Sequence, residues 1–256
     1  MRAPGPGRDQ FARYFRQQGE LAGPELFLDG ISGVEALRLA SQAGDSRPQG
    51  GEAPSPLPLR QAPSDPSPAP ASSPDYESLR AQALACTRCD LSRTRKQVVF
   101  SDGNPAARLM VVGEAPGARE DETGKAFVGP AGKLLDLLLA TVGLARETSA
   151  YICNVLKCRP PGNRNPLPGE IEACTPILKR QIELISPDAL LAVGAFSAQF
   201  LTGREAPIGT LRGEVYSYHG VPLVVTYHPA ALLRNGSLTR STWDDLQLLR
   251  QVMDGA

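Results

Sequence analysis

Four of the five cysteines are spaced so that they could bind one metal centre. Cys86 and Cys89 form a C-x-x-C pair, whereas fifteen residues separate Cys158 from Cys174. A zinc ribbon usually has two tight pairs, and a four-cysteine iron–sulfur cluster tolerates the wider spacing better. Unligated thiols are the alternative, although a bare C-x-x-C beside basic residues would oxidise readily. Cys153 lies in an apolar run and is expected to be a buried, unligated thiol.

Acidic and aromatic residues form a second group, in the glycine-rich segment 113–136. The apolar run at 108–112 predicts a buried strand, and Pro130 begins a predicted helix over 131–139. Glycines in a loop at the carboxyl end of a parallel strand let the backbone approach a ligand. An ordinary connecting loop would not need several acidic side chains and an aromatic one together, so a ligand-binding site is favoured. These side chains are Glu114, Glu120, Asp121 and Phe127.

Strands alternate with helices along the rest of this region. Further strands are predicted over residues 151–155, 189–193, 214–218 and 222–226, and further helices over residues 76–85, 169–185, 195–201 and 238–253. The alternation indicates an α/β fold with a central, largely parallel sheet covered by helices on both faces. The last two strands flank His219 and Gly220 and are expected to form an antiparallel hairpin.

The first third of the chain has a different composition. Nine of the 24 prolines lie between Pro48 and Pro74, among few large apolar residues, so residues 43–74 are predicted to be a disordered linker. Residues 1–42 are predicted to be a weakly ordered leader with possible short helices, or else a small docking element for a protein partner. Residues 75–256 would then form the one folded domain.

Charge and hydropathy exclude several classes of protein. Lysine and arginine balance aspartate and glutamate at 27 each, so the whole chain has no basic field. Arg88, Arg93, Arg95 and Lys96 do form a local cluster, which is either a solvated face or a phosphate-contacting patch. No long apolar run and no signal-peptide core occur, so a soluble, cytoplasmic monomer without membrane contact is expected.

Four segments occur in an order that resembles the family 4 uracil-DNA glycosylases, the iron–sulfur type, over about residues 75–253. They are Gly113-Glu-Ala-Pro-Gly117, Gly124-Lys-Ala-Phe-Val-Gly-Pro-Ala-Gly-Lys-Leu-Leu135, Asn154-Val-Leu-Lys-Cys-Arg-Pro-Pro-Gly-Asn-Arg164 and Tyr227-His-Pro-Ala-Ala-Leu-Leu-Arg234. The resemblance implies a three-layer α/β/α sandwich that excises uracil from DNA in base-excision repair. It also implies a structural 4Fe–4S cluster bound by Cys86, Cys89, Cys158 and Cys174.

The resemblance assigns roles to several residues of the site. Phe127 would stack on the flipped-out uracil, and the Asn154 amide would pair with its N3–H and O4. His228, helped by the backbone N–H groups of Glu114 and Ala115, would donate to uracil O2 as negative charge develops there.

Related glycosylases have an aspartate where Ala115 stands. The sequence therefore does not identify the group that activates the water. Glu114 or Glu120 could orient the water, or Glu120 could stand against uracil C5 and exclude thymine. No lysine occupies a motif position that would form an imine, which favours simple hydrolysis.

The same resemblance implies contacts to DNA. Leu232 or Leu233 would enter the minor groove and fill the space that the base leaves, with Arg234 near a phosphate. Further phosphate contacts are expected from Lys157, Arg159 and Arg164.

Two alternatives belong to other classes. A non-catalytic DNA-binding or polymerase-associated module could keep the fold and the cluster, but it would not need a uracil-shaped pocket. A related branch that links itself covalently to DNA carries a histidine in an inserted basic loop, and His219 lies instead in the predicted hairpin.

Overall fold

A computed structural model describes residues 74–255, and these form a six-stranded sheet with helices around it. The strands are β1 (Asp102–Gly103), β2 (Leu109–Gly113), β3 (Ala150–Asn154), β4 (Ala189–Val193), β5 (Val215–Tyr218) and β6 (Val221–Thr226). The helices are α1 (Pro74–Leu84), α2 (Ala118–Thr123), α3 (Pro130–Thr141), α4 (Arg146–Ser149), α5 (Pro168–Ile185), α6 (Ala195–Thr202), α7 (Ile208–Leu211), α8 (Pro229–Arg234) and α9 (Thr239–Asp254).

The sheet has the order β1-β3-β2-β4-β6-β5, in which the four central strands are parallel and the two outer strands antiparallel. In this register Gly113 of β2 lies opposite Asn154 of β3, and Val193 of β4 lies opposite Thr226 of β6. The carboxyl ends of four strands therefore meet at one edge of the sheet. The predicted fold class is confirmed.

The core lies on both faces of the sheet because alternate side chains of each central strand point to opposite faces. On one face Met110 and Tyr151 pack in one cluster with Leu178 and Ile182 of α5. On the other face α9 contacts β4, β6 and α3. All residues of β2, β3 and β4 are buried, which explains why these strands are continuous apolar runs.

The predicted glycine-rich loop between β2 and α3 contains a short helix, α2, that was not predicted from the sequence. Gly117 caps the amino end of α2, and Gly124 ends the helix with φ 72°, in the left-handed region that glycine adopts without strain. The acidic residues Glu120 and Asp121 lie in its first turn, where the helix dipole favours negative charge. A six-residue helix is too short for the apolar periodicity that reveals longer ones.

The predicted leader and linker lie outside the described residues, apart from Pro74. Within residues 74–255, no helix has both the length and the apolar character needed to cross a membrane.

Candidate active site

Gly113, Phe127 and Asn154 converge at the carboxyl edge of the sheet. A Cβ atom added to Gly113 would lie 2.4 Å from Oδ1 of Asn154 and 2.6 Å from Cζ of Phe127. Glycine is therefore required at the end of β2, because any side chain there would enter the space between the amide and the ring.

Asn154 ends β3 and is 2% exposed, yet its Oδ1 atom has no hydrogen-bond partner. A buried acceptor without a partner costs free energy, and such atoms are rare in folded proteins. The position of Asn154 at the strand edge suits an acceptor that is satisfied by the N–H group of a ligand.

Phe127 has a φ of 53°, in the left-handed region that is unfavourable for a bulky residue. Its ring is buried and lies 5.6 Å from the ring of His228, centroid to centroid, with an angle of 32° between the planes. The strained backbone thus places an aromatic ring against His228 and next to the space that Asn154 Oδ1 faces above Gly113.

His228 follows β6 and caps the amino end of α8. Its Nδ1 atom accepts a hydrogen bond from the Ala230 N–H at 3.1 Å, so the proton of the neutral ring is on Nε2. Burial, together with the nearby charge of Arg234, lowers the pKa of His228 to about 4. The imidazole is therefore a neutral hydrogen-bond donor at physiological pH.

The two candidate carboxylates have different surroundings. Oε1 of Glu120 accepts hydrogen bonds from the N–H groups of Val128 and Gly129 at 2.9 and 2.8 Å. Glu120 thus holds the turn that follows Phe127 and leads into α3. Among residues 74–255 no group hydrogen-bonds the carboxylate of Glu114, and burial raises the pKa of that carboxyl group.

The four predicted metal ligands line one pocket. Cys86, Cys89, Cys158 and Cys174 share this pocket with three basic residues, Arg88, Arg95 and Lys157. Arg95 Nη1 donates to Cys158 Sγ at 3.2 Å, and the backbone N–H of Lys157 donates to Cys174 Sγ at 3.2 Å. Cys153 is buried in the core cluster of the sheet instead.

The surroundings of Cys86 and Cys158 shift the pKa values of these two thiols in opposite directions. Burial opposes ionisation of Cys86, but the hydrogen bonds and the charge of Arg88 outweigh it and lower the thiol's pKa. Burial raises the pKa of Cys158 to about 11. No three His, Cys, Asp or Glu side chains of the described segment are close enough together to hold a single metal ion. A pocket lined by four sulfur atoms with N–H donors aimed at them fits a thiolate-bound cluster, which is wider than one ion.

Two of the residues predicted to contact DNA, Lys157 and Leu232, are buried in the structure. Lys157 is 1% exposed and its Nζ donates to the backbone oxygen of Asn154 at 2.6 Å. Leu232 is buried in the protein, and of the predicted pair only Leu233, at 45% exposure, is free to enter a groove.

Several basic residues around the site already form hydrogen bonds or ion pairs with other groups of the protein. Arg164 donates to both carboxylate oxygens of Glu170, and Arg159 donates to Asn163 Oδ1. In the local basic cluster, Arg95 faces the cysteine pocket and Lys96 pairs with Glu122. A further basic residue, Arg146, belongs to none of the four motifs and was therefore not predicted from the sequence.

The fold and the site together define a class of protein. A mostly parallel α/β sheet carries a buried unpaired amide, an aromatic ring and a neutral imidazole at its carboxyl edge. Ligands bind at this edge in open α/β sheets, and these groups suit a flat ring with hydrogen-bonding edges.

Comparisons with known proteins agree with this class. The family model of the Uracil DNA glycosylase superfamily matches residues 100–247. The Type-4 uracil-DNA glycosylase of Archaeoglobus fulgidus is 41% identical over 179 residues, which cover 67% of this chain and 89% of that protein. The Type-4 uracil-DNA glycosylase of Thermotoga maritima is 46% identical over 166 residues, covering 63% and 86% respectively. A DNA polymerase of Bacillus phage SP01 is 33% identical over 153 residues, 60% of this chain but 16% of the polymerase.

The chain belongs to the uracil-DNA glycosylase superfamily and, within it, to the type-4 uracil-DNA glycosylases. This confirms the family predicted from the four motifs.

Proposed function

We propose that this uracil-DNA glycosylase hydrolyses the N-glycosidic bond of deoxyuridine that has been flipped out of DNA into the pocket at the sheet edge. One observation carries the proposal: Oδ1 of Asn154 is buried and unpaired, and it shares the space above Gly113 with the ring of Phe127, which in turn lies against the ring of His228. Family membership supports the same activity.

Base recognition rests on the Asn154 amide. Its oxygen accepts the N3–H of uracil and its NH₂ group donates to O4, whereas cytosine presents the opposite pattern at both positions. An unpaired buried polar group costs about 1–3 kcal/mol, so two mismatched groups are sufficient to reject cytosine. Phe127 stacks on the base without distinguishing the two pyrimidines.

Bond cleavage leaves negative charge on the departing uracil. His228 donates its Nε2–H to uracil O2, and the backbone N–H groups of Glu114 and Ala115 are the further donors at the end of β2. A neutral imidazole suits this task because no net charge has to be desolvated with the base.

The attacking water is oriented by Glu114. Its half-buried carboxylate is free of hydrogen bonds within residues 74–255, whereas Glu120 already binds two backbone N–H groups. The raised pKa of Glu114 also makes it a better proton acceptor than an ordinary carboxylate.

DNA contacts surround this pocket. Leu233 fills the space that the base leaves, and Arg234, at the end of the same helix α8, binds a phosphate. Arg159 and Arg164 contact further phosphates with the N–H groups that their partners Asn163 and Glu170 leave free.

Cys86, Cys89, Cys158 and Cys174 hold a 4Fe–4S cluster, supported by the pocket that they line and by the N–H groups that Arg95 and Lys157 direct at two of their sulfur atoms. The bound cluster supplies a structural cross-link between α1, the segment after β3 and α5.

The test is single-turnover release of uracil and cytosine from matched single strands by Asn154→Asp. While ionised, the carboxylate presents only acceptors, so contact with O4 becomes repulsive and uracil release should fall by a factor of about 100 or more. Protonated at low pH, it could donate to the N3 acceptor of cytosine, and weak cytosine release should appear there. Near-normal uracil release would mean that Asn154 does not recognise the base.

Asn104→Asp is the matched control, because it makes the same change beyond β1, next to the amino end of β3. It should leave both rates unchanged.

The match to a segment of a phage DNA polymerase favours one second candidate, a DNA-binding module without catalysis. A uracil-containing oligonucleotide incubated with the protein and then treated with alkali separates the two functions. A strand that stays intact would support the module and exclude the glycosylase.

A further inference from the structure

We propose that Arg146 is a positioning residue for uracil excision, which holds the strained backbone of Phe127 so that its ring stands in the base pocket. The inference rests on the proposed function, because it gives Arg146 a role only through the stacking of Phe127 on the base.

The backbone at Phe127 needs an external restraint. Its φ of 53° is unfavourable for a residue with a large side chain, and such conformations persist only where neighbouring groups determine them. The neighbouring helix leaves room for the resulting path of the chain. A Cβ atom on Gly132 of α3 would lie 1.7 Å from the carbonyl oxygen of Phe127.

Arg146 provides this restraint on the carbonyl side. Its Nη1 donates to the carbonyl oxygen of Ala126 at 2.9 Å, and its Nη2 donates to that of Phe127 at 2.7 Å. The planar guanidinium fits two neighbouring carbonyl groups at once, which the single ammonium of lysine cannot reproduce.

Two carboxylates fix the guanidinium in turn. Nε of Arg146 donates to Asp136 of α3 at 2.9 Å, and Nη1 donates to Asp102 of β1 at 3.0 Å. The side chain of Arg146 is 11% exposed and that of Asp102 25%, so solvent screens this ion pair less than the pair with Asp136, which is 43% exposed. The carbonyl groups of Ala126 and Phe127 are thereby linked through Arg146 to α3 and to β1.

Glu120 binds the same turn from its other side. It accepts the N–H groups of Val128 and Gly129, directly after the two carbonyl groups that Arg146 binds. Four consecutive residues, 126–129, are therefore fixed by side chains from α2 and α4. Without Arg146, the N–H groups of Val128 and Gly129 would still bind Glu120, but the carbonyl groups of Ala126 and Phe127 would lose their partner. The backbone that orients the Phe127 ring would then no longer be held.

The test is a double-mutant cycle of Arg146→Lys with Phe127→Ala, measured as single-turnover uracil release. In the wild-type background Arg146→Lys should slow release about tenfold, equivalent to about 1.4 kcal/mol. In the Phe127→Ala background it should change the rate less than about twofold, because the group that it positions is gone.

Two further variants keep the test decisive if Arg146→Lys folds poorly. Asp136→Asn removes one anchor of the guanidinium and should give a smaller loss with the same dependence on Phe127. Arg108→Lys changes an arginine whose side-chain hydrogen bonds go to Asp188 and to the carbonyl oxygen of Met253, and not to residues 126–129, so it should not alter the rate.

Equal losses in both backgrounds would overturn the inference, since Arg146 would then act on stability and not through Phe127. An undiminished rate in Arg146→Lys and Asp136→Asn would overturn it as well. Failure of the wild-type protein to release any uracil would overturn the proposed function, and this inference with it.

Discussion

His228 shows how the environment of one residue sets its chemistry. The hydrogen bond from Ala230 N–H fixes its tautomer, and burial lowers its pKa to about 4. Gly194, with φ 101°, makes the room, because a Cβ there would lie 3.1 Å from Cβ of His228. The same lowered pKa has a thermodynamic consequence that does not depend on catalysis.

Folding stability should depend on pH through His228. The folded-state pKa is about 4, below the unfolded value near 6.5, so the unfolded chain binds more protons as the pH falls between these values. The contribution is complete above pH 6.5 and is lost towards pH 4. Between pH 7 and 4.5 the wild type should lose about 2 kcal/mol more stability than His228→Gln in urea denaturation.

The other histidine supplies the control for this experiment. His219 is exposed in the β5–β6 turn, so His219→Gln should lose stability with pH as the wild type does. Equal losses in the wild type and His228→Gln would show that the imidazole is not held neutral by the fold.

At the scale of elements, the sequence predicted the parts whose pattern is local. Buried central strands such as 189–193 are continuous apolar runs with turn residues at their ends, and the observed β4 has the same bounds. The short elements β1, α2 and α8 were missed as such because two to six residues carry no measurable periodicity.

The roles of the residues that support the site also could not be predicted from the sequence. Arg146 bonds to groups from three separate parts of the chain, and only the folded structure brings them together. Lys157, between a cysteine and a motif asparagine, has the sequence context of a phosphate contact. Its burial, with Nζ bound to the backbone oxygen of Asn154, depends on tertiary packing that no local pattern encodes.

The end of β2 gives a prediction at this scale. Gly113→Ala would place a methyl group against Asn154 Oδ1 and the Phe127 ring, so both must move from the positions that bind the base. Uracil release should fall about 100-fold, because displacement of about 1 Å can cost that much. Gly169→Ala, where nothing lies within 4 Å of the new Cβ atom, is the control and should keep full activity. An active Gly113→Ala enzyme would mean that the base binds elsewhere.

At the scale of the whole molecule, the four cysteines that line the pocket come from three parts of the chain that lie outside the sheet. Cys86 and Cys89 follow α1, Cys158 follows β3, and Cys174 lies within α5. The segment between β3 and α5 contains one short 3₁₀ helix and several prolines, so it has few backbone hydrogen bonds of its own. A cluster bound by these ligands would therefore contribute directly to the stability of the fold.

The last prediction tests that contribution on purified protein of residues 1–256. Prepared without oxygen, the wild type should be brown and contain iron and sulfide. Cys89→Ser or Cys174→Ser should lose the colour, most of the iron and much of the thermal stability, because each removes one thiolate ligand. Cys153→Ser should keep the colour and the iron, since Cys153 is buried in the sheet core and does not line the pocket. Zinc in place of iron, or iron retained by Cys174→Ser at the wild-type level, would contradict the proposed cluster.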